Sequence, residues 1–393
     1  MAYRAAIAGI GMTAAMATHR QDRSNAELCQ EAVWAAMDHA GITPSVLDAL
    51  VVGNIDGFEG TVLGAKHLTR ILGVGGDLPV TVINTGGTTG GNLVHVAARM
   101  VASGDREAVL CLGPASFFGA RDLQAVINTN SPMVVEQPLG MGAVHMGAFF
   151  PAAYQERYGV TDEDLAHVVV QAHSHAARNP YAQLRNELTV EEVLTSRMIS
   201  TPMVMAMICP ATAAACAVLV TSERLAQSLR TPTVVIRALG SSADPYLGGG
   251  KGSFSAWEGL GILARRVYAQ ADIRDPRAEL DVLELFAPYA PMLPMQLEAL
   301  GFAGPGDGAK LVRSGATTFG GDIPTNMSGG PKCTNAGVAG ELAPYAYVAL
   351  QLMGDAPADI QVQQPVRGLA HGTGGTFFQF ENLAILERTT PYA

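Results

Sequence analysis

Val80 to Asp105 reads VTVINTGGTTGGNLVHVAARMVASGD, and the rest of the chain is best read outward from it. Val80–Ile83 is a short β-branched run that predicts a strand. Asn84-Thr85-Gly86-Gly87 follows as a tight turn, and apolar residues at helical spacing then predict a helix from about Thr88 to Ala102. The same order returns near the other end. Asn326-Met327-Ser328-Gly329-Gly330 precedes an apolar helix, Glu341–Leu352, which closes on Gly354-Asp355 as the first closes on Gly104-Asp105. The echo points to two duplicated α/β halves whose glycine turns face each other at a seam.

Outward from the first unit, Ala5–Ile10, Val51–Ile55 and Glu107–Leu112 read as strands. Asn25–His39 reads as a helix with Leu28, Ala32, Val33, Ala36 and Met37 on one face. Thr43-Pro44 reads as another helix start, and Thr61–Leu72 as a helix. The alternation predicts a mostly parallel sheet covered by helices. From Pro114 to Pro210 strands become few, with helices at Asp162–Ala177 and Val190–Arg197. We read residues 1–113 with 211–230 as the N-terminal half, 114–210 as an insertion lining the pocket, and 231–393 as the C-terminal half. In that last part Thr233–Ala238 and Val282–Leu285 read as strands, and Leu260–Gln270 and Met295–Leu300 as helices. Gln361–Leu369 and Phe377–Leu386 read as strands closing around a turn, His371-Gly372-Thr373-Gly374-Gly375.

Composition narrows the class. The 393 residues are 48% apolar and 15% charged, against about 25% charged in typical soluble chains. Such a chain buries a full core, is not disordered, and has surface to spare for a partner subunit. A net charge of −10 argues against nucleic acid. Five scattered cysteines, none in CxxC spacing, suggest neither a disulfide framework nor a zinc site, and place the chain in a reducing cytoplasm. We expect no signal peptide, since a strand pattern begins at once without a basic leader. No charge occurs between Arg197 and Glu223, but Pro202, Pro210 and many hydroxyl residues make this loop plus strand rather than a membrane span.

Ala172-His173-Ser174-His175-Ala176-Ala177-Arg178-Asn179-Pro180-Tyr181-Ala182-Gln183 resembles a helix end of the thiolase superfamily, within its sterol-carrier-protein-type (lipid-transfer) thiolases. Ser196-Arg197, Pro202, Cys209-Pro210, Asn326 with Gly329-Gly330, and the turn from His371 to Gly375 fit the same family, so the resemblance covers essentially the whole chain. It implies a five-layered α/β/α/β/α thiolase fold from two duplicated halves, a homodimer, and coenzyme A present as part of an acyl-CoA substrate. It implies no bound cofactor and no metal. Relatives with an altered motif set, the thiolase-like aldolases, work with a small zinc-ribbon/OB-fold partner chain, and the resemblance implies such a partner here.

Family members place a nucleophilic Cys at the N-terminus of a buried helix, where helix end and backbone N–H groups lower its pKa and stabilise an oxyanion. The matching residue here is Gly87, which forms no thioester and leaves an anion-binding turn. Where a His or Tyr is followed by Asp and Phe in the family, this chain has Glu284-Leu285-Phe286, with Tyr289 three residues on as a proton donor or a pocket wall. Cys333-Thr334-Asn335 replaces Gly-His-Pro, so Cys333 is either a packing residue or a catalytic thiol, and Asn335 an amide donor to a thioester oxygen. His371 takes the fourth position as a general base, with Gly374 in its turn as a substrate contact. His145, in Val144-His145-Met146-Gly147, reads as a lining or structural residue. Lys251, in a glycine-rich loop, is either a CoA-phosphate contact or an exposed lysine. His173 and His175, two apart on a helix, do not chelate one metal, and Cys29, Cys111, Cys209 and Cys216 read as core.

The reading that follows is C–C bond making or breaking beside an acyl-CoA thioester, by retro-aldol cleavage of a β-hydroxyacyl-CoA. One alternative is an atypical thiolase or acyltransferase that cleaves a β-ketoacyl-CoA with CoA through Cys333. Another is a non-catalytic subunit that binds an acyl-CoA or acts as a scaffold.

Overall fold

A computed structural model describes residues 5–388 apart from 55, 60–67, 69, 76, 115–121, 230, 231, 233 and 247–251. The strands that form its main sheet are β1 (Ala5–Met12), β2 (Ala49–Gly53), β3 (Val80–Ile83), β4 (Ala108–Gly113), β5 (Cys216–Ser222), β6 (Val234–Ala243), β7 (Val282–Leu285), β8 (Arg367–Gly374) and β9 (Phe380–Arg388). Its long helices are α1 (Asn25–Ala40), α2 (Thr89–Ala102), α3 (Ala143–Tyr158), α4 (Asp162–Arg178), α5 (Glu258–Gln270) and α6 (Val338–Met353). Local chemistry sets their ends. Ser24 caps α1 through the Glu27 N–H while the Glu27 carboxylate accepts the Ser24 N–H at 2.7 Å, and Gly41 closes the helix with φ 66°.

The strands lie in the order β7-β8-β9-β6-β1-β5-β4-β2-β3. The last five belong to the N-terminal half and the first four to the C-terminal half. The halves meet through the pairs Ala6↔Val235 and Ile7↔Val234. Each half repeats one pattern. In the first, β1–β5 and β5–β4 are antiparallel, and β4–β2 and β2–β3 parallel. In the second, β6–β9 and β9–β8 are antiparallel and β8–β7 parallel, and Leu283 then bridges in parallel to Thr325. Thr325 therefore stands where β3 stands, and Asn326 follows it as Asn84 follows β3.

Side chains alternate across the strands and so fill separate cores. On β4, Val109 and Cys111 enter the central core while Ala108, Leu110 and Leu112 face α1. On β5, Val218 and Val220 are central while Ala217 and Leu219 face α1. The central core holds α2 and α6 packed on each other, with Val94, Ala97, Ala98, Leu342, Tyr345 and Ala349 between the two half-sheets. Leu260, Leu263 and Val267 of α5 cover the outer face of the C-terminal half. The five layers are α1, sheet, α2 with α6, sheet, and α5, as expected.

Several expectations change. The sheet is mixed rather than mostly parallel, because an apolar run reports burial and not strand direction. Thr43-Pro44 opens a single turn at Pro44–Val46, not a longer helix. The helix at Val190 ends at Leu194. Residues 361–366 lie outside β8, which instead runs on through His371 to Gly374, so His371 is mid-strand and not in the turn. Helix α3 was not anticipated: it carries Gly147 and an internal Pro151, and its own apolar residues are spread around the helix rather than gathered on one face. The helix expected at Thr61–Leu72 falls largely outside the described residues. Among the described residues no helix is long and apolar enough to cross a membrane.

Candidate active site

The starts of α2 and α6 converge at the seam, and a cavity of about 240 Å³ opens there. Gly86 and Gly87 form one wall, Thr373 to Thr376 a second, and Asn335, Gly337 and Glu341 a third. Cys209, Phe286 and Tyr289 close it from the segments before β5 and after β7, and Leu123, Val144 and Met146 come from the region between β4 and β5.

The Gly87 turn is held on all sides. The Thr89 hydroxyl donates to the Gly86 carbonyl at 2.7 Å and accepts the Thr85 N–H at 2.9 Å. The Asn382 amide donates to the Thr88 carbonyl at 2.9 Å, and its oxygen accepts the Tyr345 hydroxyl at 2.9 Å. This ties the turn of one half to the last strand of the other. Gly87 lies flat against Gly374: a Cβ at Gly87 would sit 2.8 Å from the Gly374 Cα and 2.9 Å from the Thr373 carbonyl oxygen. Both neighbours are backbone, so this helix start has no space for a side chain.

Asn335 is anchored by its N–H to the Thr212 hydroxyl at 3.0 Å, and its side-chain amide donates to the Cys209 sulfur at 3.1 Å. Cys209 is thus a wall residue and not core. Burial raises its thiol pKa, while the Asn335 bond and the Lys332 charge act in the other direction. Lys332 is itself buried, with Nζ 3.4 Å from His173 Nε2. His173 Nδ1 lies 2.7 Å from the Asn186 carbonyl, which fixes the tautomer with Nε2 as acceptor. Burial depresses the pKa of both Lys332 and His173.

Cys333, by contrast, is absent from the wall. It is fully buried in a small cluster with Ala176 and Ala182, and burial pushes its thiol up to about 11. Tyr289 does line the cavity, its ring edge-on to Phe378 at 5.8 Å. Burial, with Cys209 beside it, raises the phenol well above its ordinary 10, so it is a neutral donor across the physiological range.

His371 stands one step behind the wall. It has no exposed surface, and its Nε2 is 2.8 Å from Glu381 Oε2. The other Glu381 oxygen accepts the Thr373 hydroxyl at 3.0 Å and the Trp257 N–H at 2.6 Å. Thr373 is the member of this chain that reaches the cavity. His145 is exposed at the start of α3 while its neighbours Val144 and Met146 line the cavity. Lys251 lies outside the described residues. The structure therefore gathers Gly87, Gly374, Asn335 and Tyr289 around one space, and does not bring His371, Cys333 or His145 to its wall.

Sequence reasoning missed Glu341. It sits buried in the first turn of α6, and its carboxylate accepts the Gly90 N–H at 3.0 Å at the start of α2. Burial pushes it up to about 8 despite backbone N–H bonds from Gly90 and Thr89. A signal was present: Glu341 is the one charge in the sixteen-residue run VAGELAPYAYVALQLM. Among the described residues no group of three or more His, Cys, Asp or Glu is placed to hold a metal.

Residues 5–201 match the model of the thiolase N-terminal domain, and residues 256–388 that of the thiolase C-terminal domain-like family. An acetyl-CoA acetyltransferase of Methanothermobacter thermautotrophicus is 27% identical over 375 residues, covering 94% of this chain and 96% of its own. A steroid side-chain-cleaving aldolase of Thermomonospora curvata is 29% identical over 340 residues, covering 83% of this chain and 85% of its own. The solved structure named Ltp2-ChsH2(DUF35) aldolase superposes with a TM-score of 0.83 at 25% identity, over 98% of both chains.

Proposed function

The chain belongs to the thiolase family, and from that membership we propose that it cleaves a β-hydroxyacyl-CoA by a retro-aldol reaction. The observation that carries this reading is the contact of Gly87 with Gly374, which leaves neither a thiol nor room for one at the helix start where an acyl-enzyme would form. The relatives named as a steroid side-chain-cleaving aldolase and as an Ltp2-ChsH2(DUF35) aldolase support it.

In this reading the thioester enters the cavity with its carbonyl oxygen toward the Gly87 turn, Gly374 and the Asn335 amide. The β-hydroxyl loses its proton and the C–C bond breaks, giving a ketone or aldehyde and a thioester enolate. Fixed donors stabilise the developing oxyanion, each contributing about 10²–10³ in rate. Tyr289, a neutral phenol, donates to the β-oxygen. Thr373, held by the Glu381–His371 pair, orients substrate from the opposite side, which makes His371 a positioning residue.

A second reading, thiolysis of a β-ketoacyl-CoA, is supported at Cys209 rather than Cys333. Cys209 lines the cavity and accepts from Asn335, whereas Cys333 has no exposed surface. Matched β-hydroxyacyl- and β-ketoacyl-CoA substrates, with and without free CoA and with products followed by mass, separate the two. Retro-aldol cleavage consumes the hydroxy substrate at a rate independent of free CoA. Cleavage of the keto substrate that requires free CoA overturns it.

We further infer a homodimer in the cytoplasm and a small zinc-ribbon/OB-fold partner. The free state of all five cysteines supports a reducing compartment. The second component in the name of the Ltp2-ChsH2(DUF35) aldolase supports the partner. The exposed apolar residues Met133, Val134 and Leu139 offer surface for association.

A further inference from the structure

Retro-aldol cleavage moves one proton, from the β-hydroxyl to the α-carbon of the released thioester, and the wall must hold a group that takes it and gives it back. Among the described residues lining the cavity there is no His, Lys or Arg, and Glu341 is the sole acid. We propose that Glu341 is the catalytic residue that carries this proton: its carboxylate removes the β-hydroxyl hydrogen, and the resulting acid protonates the enolate carbon. The inference rests on the retro-aldol reading and deepens it.

Three observations carry it. The first is position. Glu341 lines the same cavity as Gly87, and the two helix starts touch there, since a Cβ at Gly90 would fall 2.7 Å from the Glu341 Cβ. A base beside the oxyanion turn lies next to the α-carbon, because the enolate oxygen and that carbon are two bonds apart. The second is orientation. The Gly90 N–H, 3.0 Å away, holds the carboxylate at the start of α2, and among the described residues no cation is paired to this buried carboxyl. Such a group has no salt bridge to break before it accepts or releases a proton. The third is elimination. Tyr289 and Cys209, the other ionisable wall groups, are both held in their neutral forms by burial. Burial brings the Glu341 carboxyl to about 8, where acid and base forms interconvert near neutral pH.

The step balances without a further reagent. The O–H bond breaks toward Glu341, the C–C electron pair becomes the enolate, and the proton on Glu341 forms the new C–H bond. Glu341 ends as the carboxylate it began as.

The same carboxylate, run backwards, removes an α-proton from a product thioester. The test is exchange of the α-protons of acetyl-CoA with deuterated water on the intact chain, read by mass. The expected result is exchange with the wild type and a loss of about 100-fold or more with Glu341→Gln. Gln keeps the acceptor for the Gly90 N–H, so an unchanged melting curve and unchanged acetyl-CoA binding establish that the variant is folded and loaded. Exchange retained in a folded Glu341→Gln protein overturns the inference and leaves the enolate reading standing. No exchange by the wild type overturns both.

Discussion

At residue 87 the chain carries a glycine, and the backbone of Thr373 and Gly374 occupies the space a side chain would need. Gly87→Cys therefore does not create a thiolase. The new Cβ meets the Gly374 Cα and the Thr373 carbonyl, and the expected outcome is a loss of about 1–3 kcal/mol in denaturant unfolding with no acyl-enzyme by mass after incubation with acetyl-CoA. Tyr289 tests the opposite wall. Its hydroxyl has no hydrogen-bond partner among the described residues, so Tyr289→Phe leaves stability nearly unchanged and lowers kcat for the hydroxy substrate by about 100-fold. His371 behaves differently because it is buried against a carboxyl. His371→Ala leaves Glu381 without that partner and costs on the order of 3–5 kcal/mol in unfolding. Its effect on turnover passes through Thr373, so His371→Gln, which restores a donor, recovers most of both.

The turn from Asn326 to Gly330 is the C-terminal counterpart of the Gly87 turn, and a buried carboxyl holds it. Glu284, on β7, accepts the Ser328 N–H at 3.0 Å and the Ser328 hydroxyl at 2.7 Å, and burial raises it from an ordinary 4.5 to about 7. The sign follows. Below pH 4.5 the group is protonated in both states and its contribution is complete; above that the unfolded chain ionises first, and stability falls until the folded group ionises near 7. The span corresponds to a loss on the order of 3 kcal/mol. Glu284→Gln should flatten the pH dependence of the melting temperature across this interval, and an unchanged slope would locate the dependence elsewhere. The same scale shows what the sequence makes legible. Val80–Ile83 and Val282–Leu285 are read to the residue because short β-branched and leucine runs end abruptly at turn chemistry. His371 is misplaced because glycines on either side look like a turn. Gly372 in fact clears the Asn382 side chain, whose oxygen would lie 2.6 Å from a Cβ there, and Gly374 clears Gly87. Those glycines serve close approach within a strand, and composition alone does not tell the two uses apart.

Across the whole molecule, the five layers and the duplication were legible because both follow from repeated local patterns. The direction of the strands and the identity of the wall residues were not, since both depend on which segments the topology brings to the seam. Cys209 and Cys333 show the limit. Each sits in a motif, and only the packing of the 208–211 segment against Asn335 puts one at the cavity and the other in a cluster behind it. Association belongs to this scale too. Val134→Lys, at a residue 85% exposed, should leave the melting curve unchanged and weaken self-association in sedimentation at rising concentration. Insensitivity of the association to this change would place the contact on another face. The topology also has a cost in time. β5 fills the slot between β1 and β4, yet the whole stretch from Gly113 to Cys216 is made before it. On a ribosome adding about 5–20 residues per second, that gap lasts several seconds or more, during which two strand edges stand with bare amides. A nascent chain stopped in that interval is a candidate for chaperone capture, and one released after Ser222 can zip its first sheet shut.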